Sequence, residues 1–108
     1  MHIQIVNFNL HEMSDSDYAE ACDTLFAPAF QNVEGLLAKV WLRNSRTNTY
    51  GGVYTWRDKA AMEAFQKTDL FVAVLTHPHL VNLTSRDFSV LENPTRITRG
   101  LAADTVTA

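Results

Sequence analysis

Apolar and polar positions change period several times along the chain. Residues 2–8, "HIQIVNF", are rich in β-branched and aromatic side chains and predict a first strand. The polar "HEMSDSD" ends it, and Ser14 followed by Asp17 resembles a capping box, which starts a helix near Asp15. Tyr18, Cys22, Leu25, Phe26, Ala29 and Phe30 then recur at helical spacing on one face. Pro28 lies deep in that pattern and predicts a kink or loosening over residues 24–28. Gly35 closes the segment.

"LLAKVWLR" switches to strict alternation: Leu36, Ala38, Val40 and Leu42 make an apolar face, and Leu37, Lys39, Trp41 and Arg43 a mixed one. The polar "NSRTNT" has the length of a hairpin loop, and "YGGVYTWR" reads as the returning strand. Asp58 caps a helix burying Ala61, Met62, Ala64 and Phe65. "TDLFVAVLTH" restarts at a cap on Thr68 or Asp69 and is apolar nearly all round, which predicts a short buried helix stopped by Pro78. "LTSRDFSVL" predicts the last strand, "PTRITRG" an extended arm, and residues 100–108 a flexible tail after a single domain over 1–99.

The order β-α-β-β-α-β predicts an α+β, ferredoxin-like fold with both helices on one face of an antiparallel sheet. If Arg43 pairs with Tyr50 across the hairpin, Trp41 lies opposite Gly52, Lys39 opposite Tyr54 and Leu37 opposite Trp56. The expectation at this point is that Gly51, Val53 and Thr55 lie under the helices. Gly52, Tyr54 and Trp56 then join Lys39 and Trp41 on the mixed, uncovered face. A sheet face carrying that many aromatics marks an interface or a binding groove, so two copies should pack face to face.

The remaining bulk properties narrow the function. The 108 residues supply one core, and a formal charge of -3 with no basic stripe argues against nucleic acid as a partner. No apolar run reaches membrane-spanning length and no leader pattern opens the chain, so a cytoplasmic protein without a membrane partner is expected. The single Cys22 has no internal partner for a disulfide and suits the apolar stripe better than a nucleophilic role.

Lys39, Trp41, Tyr54 and Trp56 around the side-chain-free site at Gly52 describe a ligand pocket, although for any one aromatic filling a dimer core is the more common role. Asn7 in the first strand offers an amide donor for an enolate or carbonyl oxygen, or else bonds the local backbone. His77 and His79 flank Pro78. A helix C-terminus, where histidine suits the dipole, is the favoured role, with His77 kept as a candidate general base at the pocket edge, and no third ligand at convincing spacing suggests a metal.

Taken together, "LFAPAF", "VEGLLAKVW", "GGVYTW" and "DKAAMEAF" resemble the YdhR-type monooxygenases, a branch of the dimeric α+β barrel superfamily. The similarity runs from about residue 3 to 95 and rests on Pro28, Glu34-Gly35, Lys39-Val40-Trp41, Gly51-Gly52 with Tyr54, and Asp58-Lys59. The chain departs from that pattern at "THPHLVN" and "PTRITRG". The resemblance implies a homodimeric α+β barrel and oxygenation, without metal, flavin or other cofactor, of a small aromatic, phenolic, quinone-forming or polyketide-like substrate by O2. On that reading His77, Asn7 and Lys39 are catalytic, while Trp41, Gly52, Tyr54 and Trp56 bind substrate. The same scaffold also hosts isomerases, cyclases, haem degraders and proteins without a known reaction, so a non-oxidative isomerase or a non-catalytic small-molecule binder is the alternative.

Overall fold

The computed structural model describes residues 1–100, so the expected tail, apart from Gly100, lies outside the described residues. Strands β1 (His2–Leu10), β2 (Leu36–Asn44), β3 (Thr49–Trp56) and β4 (Leu80–Ser89) form one antiparallel sheet in the order β2-β3-β1-β4. Helices α1 (Asp15–Ala21), α2 (Ala27–Phe30), α3 (Lys59–Phe65) and α4 (Asp69–Leu75) belong to the layer over one face, and α5 (Glu92–Ile97) follows β4. This is the ferredoxin-like α+β arrangement read from the element order. Among the described residues no helix is long and apolar enough to cross a membrane.

Local chemistry sets the helix limits. The Ser14 hydroxyl accepts the Asp17 N–H at 3.1 Å, and Asp58 accepts the Ala61 N–H at 2.8 Å, each satisfying a donor that a helix start leaves open. Thr68 does the same for Phe71 at 3.3 Å and begins α4. Between α1 and α2, residues Cys22–Phe26 form a π-helical turn, in which the Ala27 N–H reaches back to the Cys22 carbonyl. Pro28 has no N–H to continue the α ladder, and the expected loosening takes this form.

The hairpin register agrees with the sequence reading at Arg43/Tyr50, Trp41/Gly52 and Lys39/Tyr54, then shifts at a bulge, so Leu36 rather than Leu37 faces Trp56. The assignment of faces is reversed. Tyr50, Tyr54 and Trp56 are at most 3% exposed and pack beneath the helices with Phe30 and Phe65, whereas Val40 on the alternating apolar face is 59% exposed. Aromatic rings fill the space between sheet and helices, which short aliphatic side chains would leave underpacked. The opposite face, bordered at one end by Thr95 of α5 beside Ile3 and Thr55 and otherwise uncovered among the described residues, presents Ile3, Ile5, Val40, Leu42, Val53 and Phe88.

The paired glycines are explained by their neighbours. Gly51 has φ +144°, and a Cβ there would collide with the Val6 carbonyl, so it is the backbone of β1, not a helix, that comes close. A Cβ on Gly52 would lie 2.8 Å from Lys39 Cε and 3.4 Å from the Tyr54 ring. Two further expectations change. Helix α4 buries Phe71 but exposes Val72 and Leu75, and "PTRITRG" contributes to α5 instead of an extended arm.

Candidate active site

The helix-covered face holds a partly open cavity of about 110 Å3 between β1, β2 and β3 below and the π-helical turn, α2 and α4 above. Its walls are mainly aromatic and aliphatic: Phe8, Tyr18, Phe26, Phe30, Trp41, Tyr54 and Val74, with Lys39 and His77 as the ionisable nitrogen groups. A single aromatic ring is the natural scale of occupant, since dry cavities on the order of 150 Å3 take up benzene. On the other side of Phe30, Lys39 and Trp41 lies a wider open groove of about 450 Å3 beside Pro28 and Leu37.

Lys39 is the unusual member. β2 points it at the helix layer, and Gly52 on β3 leaves the room in which its stem lies. Its Nζ sits 3.5 Å from the ring centroids of both Phe30 and Trp41 and 4.5 Å from that of Tyr54. The first two rings meet edge to face, so the amine occupies the corner between them. No carboxylate among the described residues pairs with it. Burial lowers its pKa from 10.5 to about 7, so near neutrality both the free amine and the ammonium are populated.

The phenols around it behave in the opposite sense. Burial holds the Tyr54 hydroxyl protonated well above its usual range, and Tyr18 likewise, with the Cys22 thiol as the next contribution. Burial also raises the Cys22 thiol, which fits a packing role better than a nucleophilic one. His77 is half-buried, packs edge-on against Phe26, and has a lowered pKa from burial and from His79. Its Nδ1 accepts the His79 backbone N–H at 3.1 Å, so the neutral ring carries its proton on Nε2. In this geometry His77 is a hydrogen-bond donor, and its basic lone pair is engaged.

Of the residues singled out from sequence, Lys39, Trp41, Tyr54 and His77 line this cavity, with Gly52 under the Lys39 stem. Asn7 is not brought to it. It lies on the uncovered face and donates to the Tyr50 carbonyl at 3.3 Å. Trp56 is fully buried behind Tyr54, stacked on it, and donates to Gln4 at 3.0 Å; Gln4 in turn donates to Ser85 at 3.0 Å. Trp56 therefore supports the wall without forming it.

Phe30, Tyr18 and Phe26 are wall residues that the sequence reading placed only on a generic apolar stripe. A second feature it missed anchors that stripe. Arg43 grips Asp15 with two bonds of 3.1 and 2.8 Å, and the Tyr50 hydroxyl donates to the same carboxylate at 2.7 Å. These bonds hold the Asp15 carboxyl below its usual range and fix the start of α1 over β2 and β3. Among the described residues no group of three or more His, Cys, Asp or Glu side chains gathers where it would hold a metal.

Comparison with known proteins places this geometry in context. None of the curated proteins matches the chain. Its fold is similar to that of a protein of unknown function from Nitrosomonas europaea, at 15% identity and a TM-score of 0.68, over 83% of this chain and 88% of that one. A putative antibiotic biosynthesis monooxygenase from Deinococcus radiodurans is similar at 16% identity and a TM-score of 0.63, over 83% and 92% of the two chains. A point mutant of MhuD, solved with two manganese protoporphyrin IX bound per active site, is similar at 20% identity and a TM-score of 0.65, over 84% and 95%. At such identities these likenesses establish the fold alone. The family model described as "Putative mono-oxygenase ydhR" matches residues 3–101, and the chain belongs to that family.

Proposed function

We propose that this protein is a cofactor-independent monooxygenase whose substrate is a small, electron-rich phenolic or quinone-forming ring held beside Lys39. The observation that carries this reading is the Lys39 amine, packed against Phe30, Trp41 and Tyr54 on the wall of an apolar cavity with no carboxylate partner among the described residues. Membership of a monooxygenase family supports the reaction class.

The chemistry asks little of the protein. The neutral amine takes the substrate's acidic proton and becomes the ammonium that holds the resulting anion. Exclusion of water strengthens that attraction. The anion passes an electron to O2, and recombination and loss of water leave one oxygen atom in the product and the other in water. His77 donates from Nε2 to a substrate oxygen, and Trp41 and Tyr54 set the shape of the cavity. The volume favours a single ring; a polyketide-sized substrate requires Phe30 and Trp41 to open the cavity into the outer groove. A porphyrin does not fit a cavity of this size, and no step is assigned to one.

The uncovered apolar face supports the second part of the proposal, a homodimer formed by packing sheet against sheet. Oxygen uptake by the purified protein with 1,4-dihydroxybenzene and 1,4-dihydroxynaphthalene tests the reaction. Uptake matched to product formation supports it; none with either compound, while the protein is folded, contradicts it. A base on Lys39 and a donor on His77 also suit proton transfer, so turnover that persists under nitrogen would select a non-oxidative isomerase instead.

A further inference from the structure

We propose that Lys39 also captures small aromatic aldehydes as a covalent imine, with the aryl ring in the cavity bounded by Phe30, Trp41 and Tyr54. This goes beyond oxygenation, for the step consumes no O2 and stands or falls separately.

Three features of the site favour it. An amine adds to a carbonyl only as the free base, and a solvated lysine is almost wholly protonated at neutral pH. Lys59 and Lys67 are exposed, whereas Lys39 is half-buried against three aromatic rings with no acid beside it among the described residues. The amine also stands between two spaces. Lys39, Phe30 and Trp41 border both the cavity and the outer groove, so the nitrogen is within reach of a ring in either space. Finally, Gly52 leaves the space in which the Lys39 stem lies and so lets the amine reach the cavity; a Cβ there would come within 2.8 Å of Cε.

The step balances without an oxidant or reductant. The Lys39 nitrogen forms a bond to the carbonyl carbon, and its proton moves to the carbonyl oxygen to give a carbinolamine. Loss of the hydroxyl as water leaves the C=N bond. The second proton of the nitrogen leaves with that hydroxyl as water, the His77 Nε2–H donates a hydrogen bond to the departing oxygen, and the apolar walls slow the reversal by water.

The test uses the intact chain with benzaldehyde and sodium cyanoborohydride under nitrogen, followed by peptide mass mapping. Lys39 should gain a benzyl group at least tenfold faster than Lys59 or Lys67, with saturation in benzaldehyde and slowing by benzyl alcohol. Labelling spread over Lys59 and Lys67 with Lys39 at or below their rate overturns the proposal, as does a Lys39 rate linear in benzaldehyde and indifferent to benzyl alcohol. In Lys39→Arg the saturable label should vanish while the slow labelling of Lys59 and Lys67 persists. Because oxygen uptake is read separately, loss of one activity leaves the other interpretable.

Discussion

Replacing Lys39 with Met should make the protein more stable at neutral pH. The variant keeps an unbranched, apolar stem among Phe30, Trp41 and Tyr54 but removes the buried amine. A pKa lowered from 10.5 to about 7 corresponds to a penalty of about 5 kcal/mol at 1.36 kcal/mol per unit. Part of this is recovered in the wild type, since the amine is only half-buried and each ring face favours the ammonium by about 0.5–2 kcal/mol. A net gain of about 2 kcal/mol for Lys39→Met at pH 7 follows. The sign of the pH dependence is fixed. Between about pH 7 and 10.5 the unfolded chain holds a proton that the folded one lacks, so wild-type stability climbs with pH through that window. Below it the penalty is constant. Urea unfolding of both proteins from pH 6 to 10 reads the difference, in which titrations common to both cancel. A variant less stable at pH 7, or a difference that does not shrink toward pH 10, would refute the reasoning.

Gly51→Ala should cost more than about 3 kcal/mol in urea unfolding, because both its φ of +144° and the Val6 carbonyl oppose a Cβ; the gentler clash at Gly52 should cost Gly52→Ala about 1 kcal/mol while displacing Lys39. Asp58→Ala removes the cap on α3 and should lower stability by about 1 kcal/mol without changing the circular dichroism of the folded state. If the uncovered sheet face joins two copies, light scattering will give a dimer mass for the wild type and a monomer mass for Val40→Asp; a monomeric wild type would end that proposal.

Much of the fold was legible because its signals are local. The Ser14, Asp58 and Thr68 caps, the Pro28 disruption and three cross-strand pairs of the hairpin follow from side-chain chemistry within a few residues. The face of the sheet was not, since alternation separates two faces without saying which one the helices cover. The cleaner apolar row, Leu36, Ala38, Val40 and Leu42, suggested a core, but past the bulge only Leu36 packs against the core. The rest of the row lies on the uncovered face, and the aromatic row with Lys39 in it is the true core, since its rings reach Phe30 and Phe65. His2 and Gln4 hid the matching pattern in β1. They are polar yet buried, because His2 meets Asp87 at 2.6 Å and Gln4 joins Trp56 to Ser85. The grouping of Lys39, Trp41, Gly52 and Tyr54 survived the reversal because a change of face moves the whole set together. Asn7 was lost from the group because it belongs to the other face.

The most direct test of Lys39 as the base is the pH profile of kcat/KM for oxygen uptake, measured for the wild type and Lys39→Met with the same substrate. The wild-type profile should rise through about pH 7 as the amine loses its proton, and that inflection should be absent from the variant, leaving only the substrate's own ionisation. The same inflection in both proteins would contradict the account.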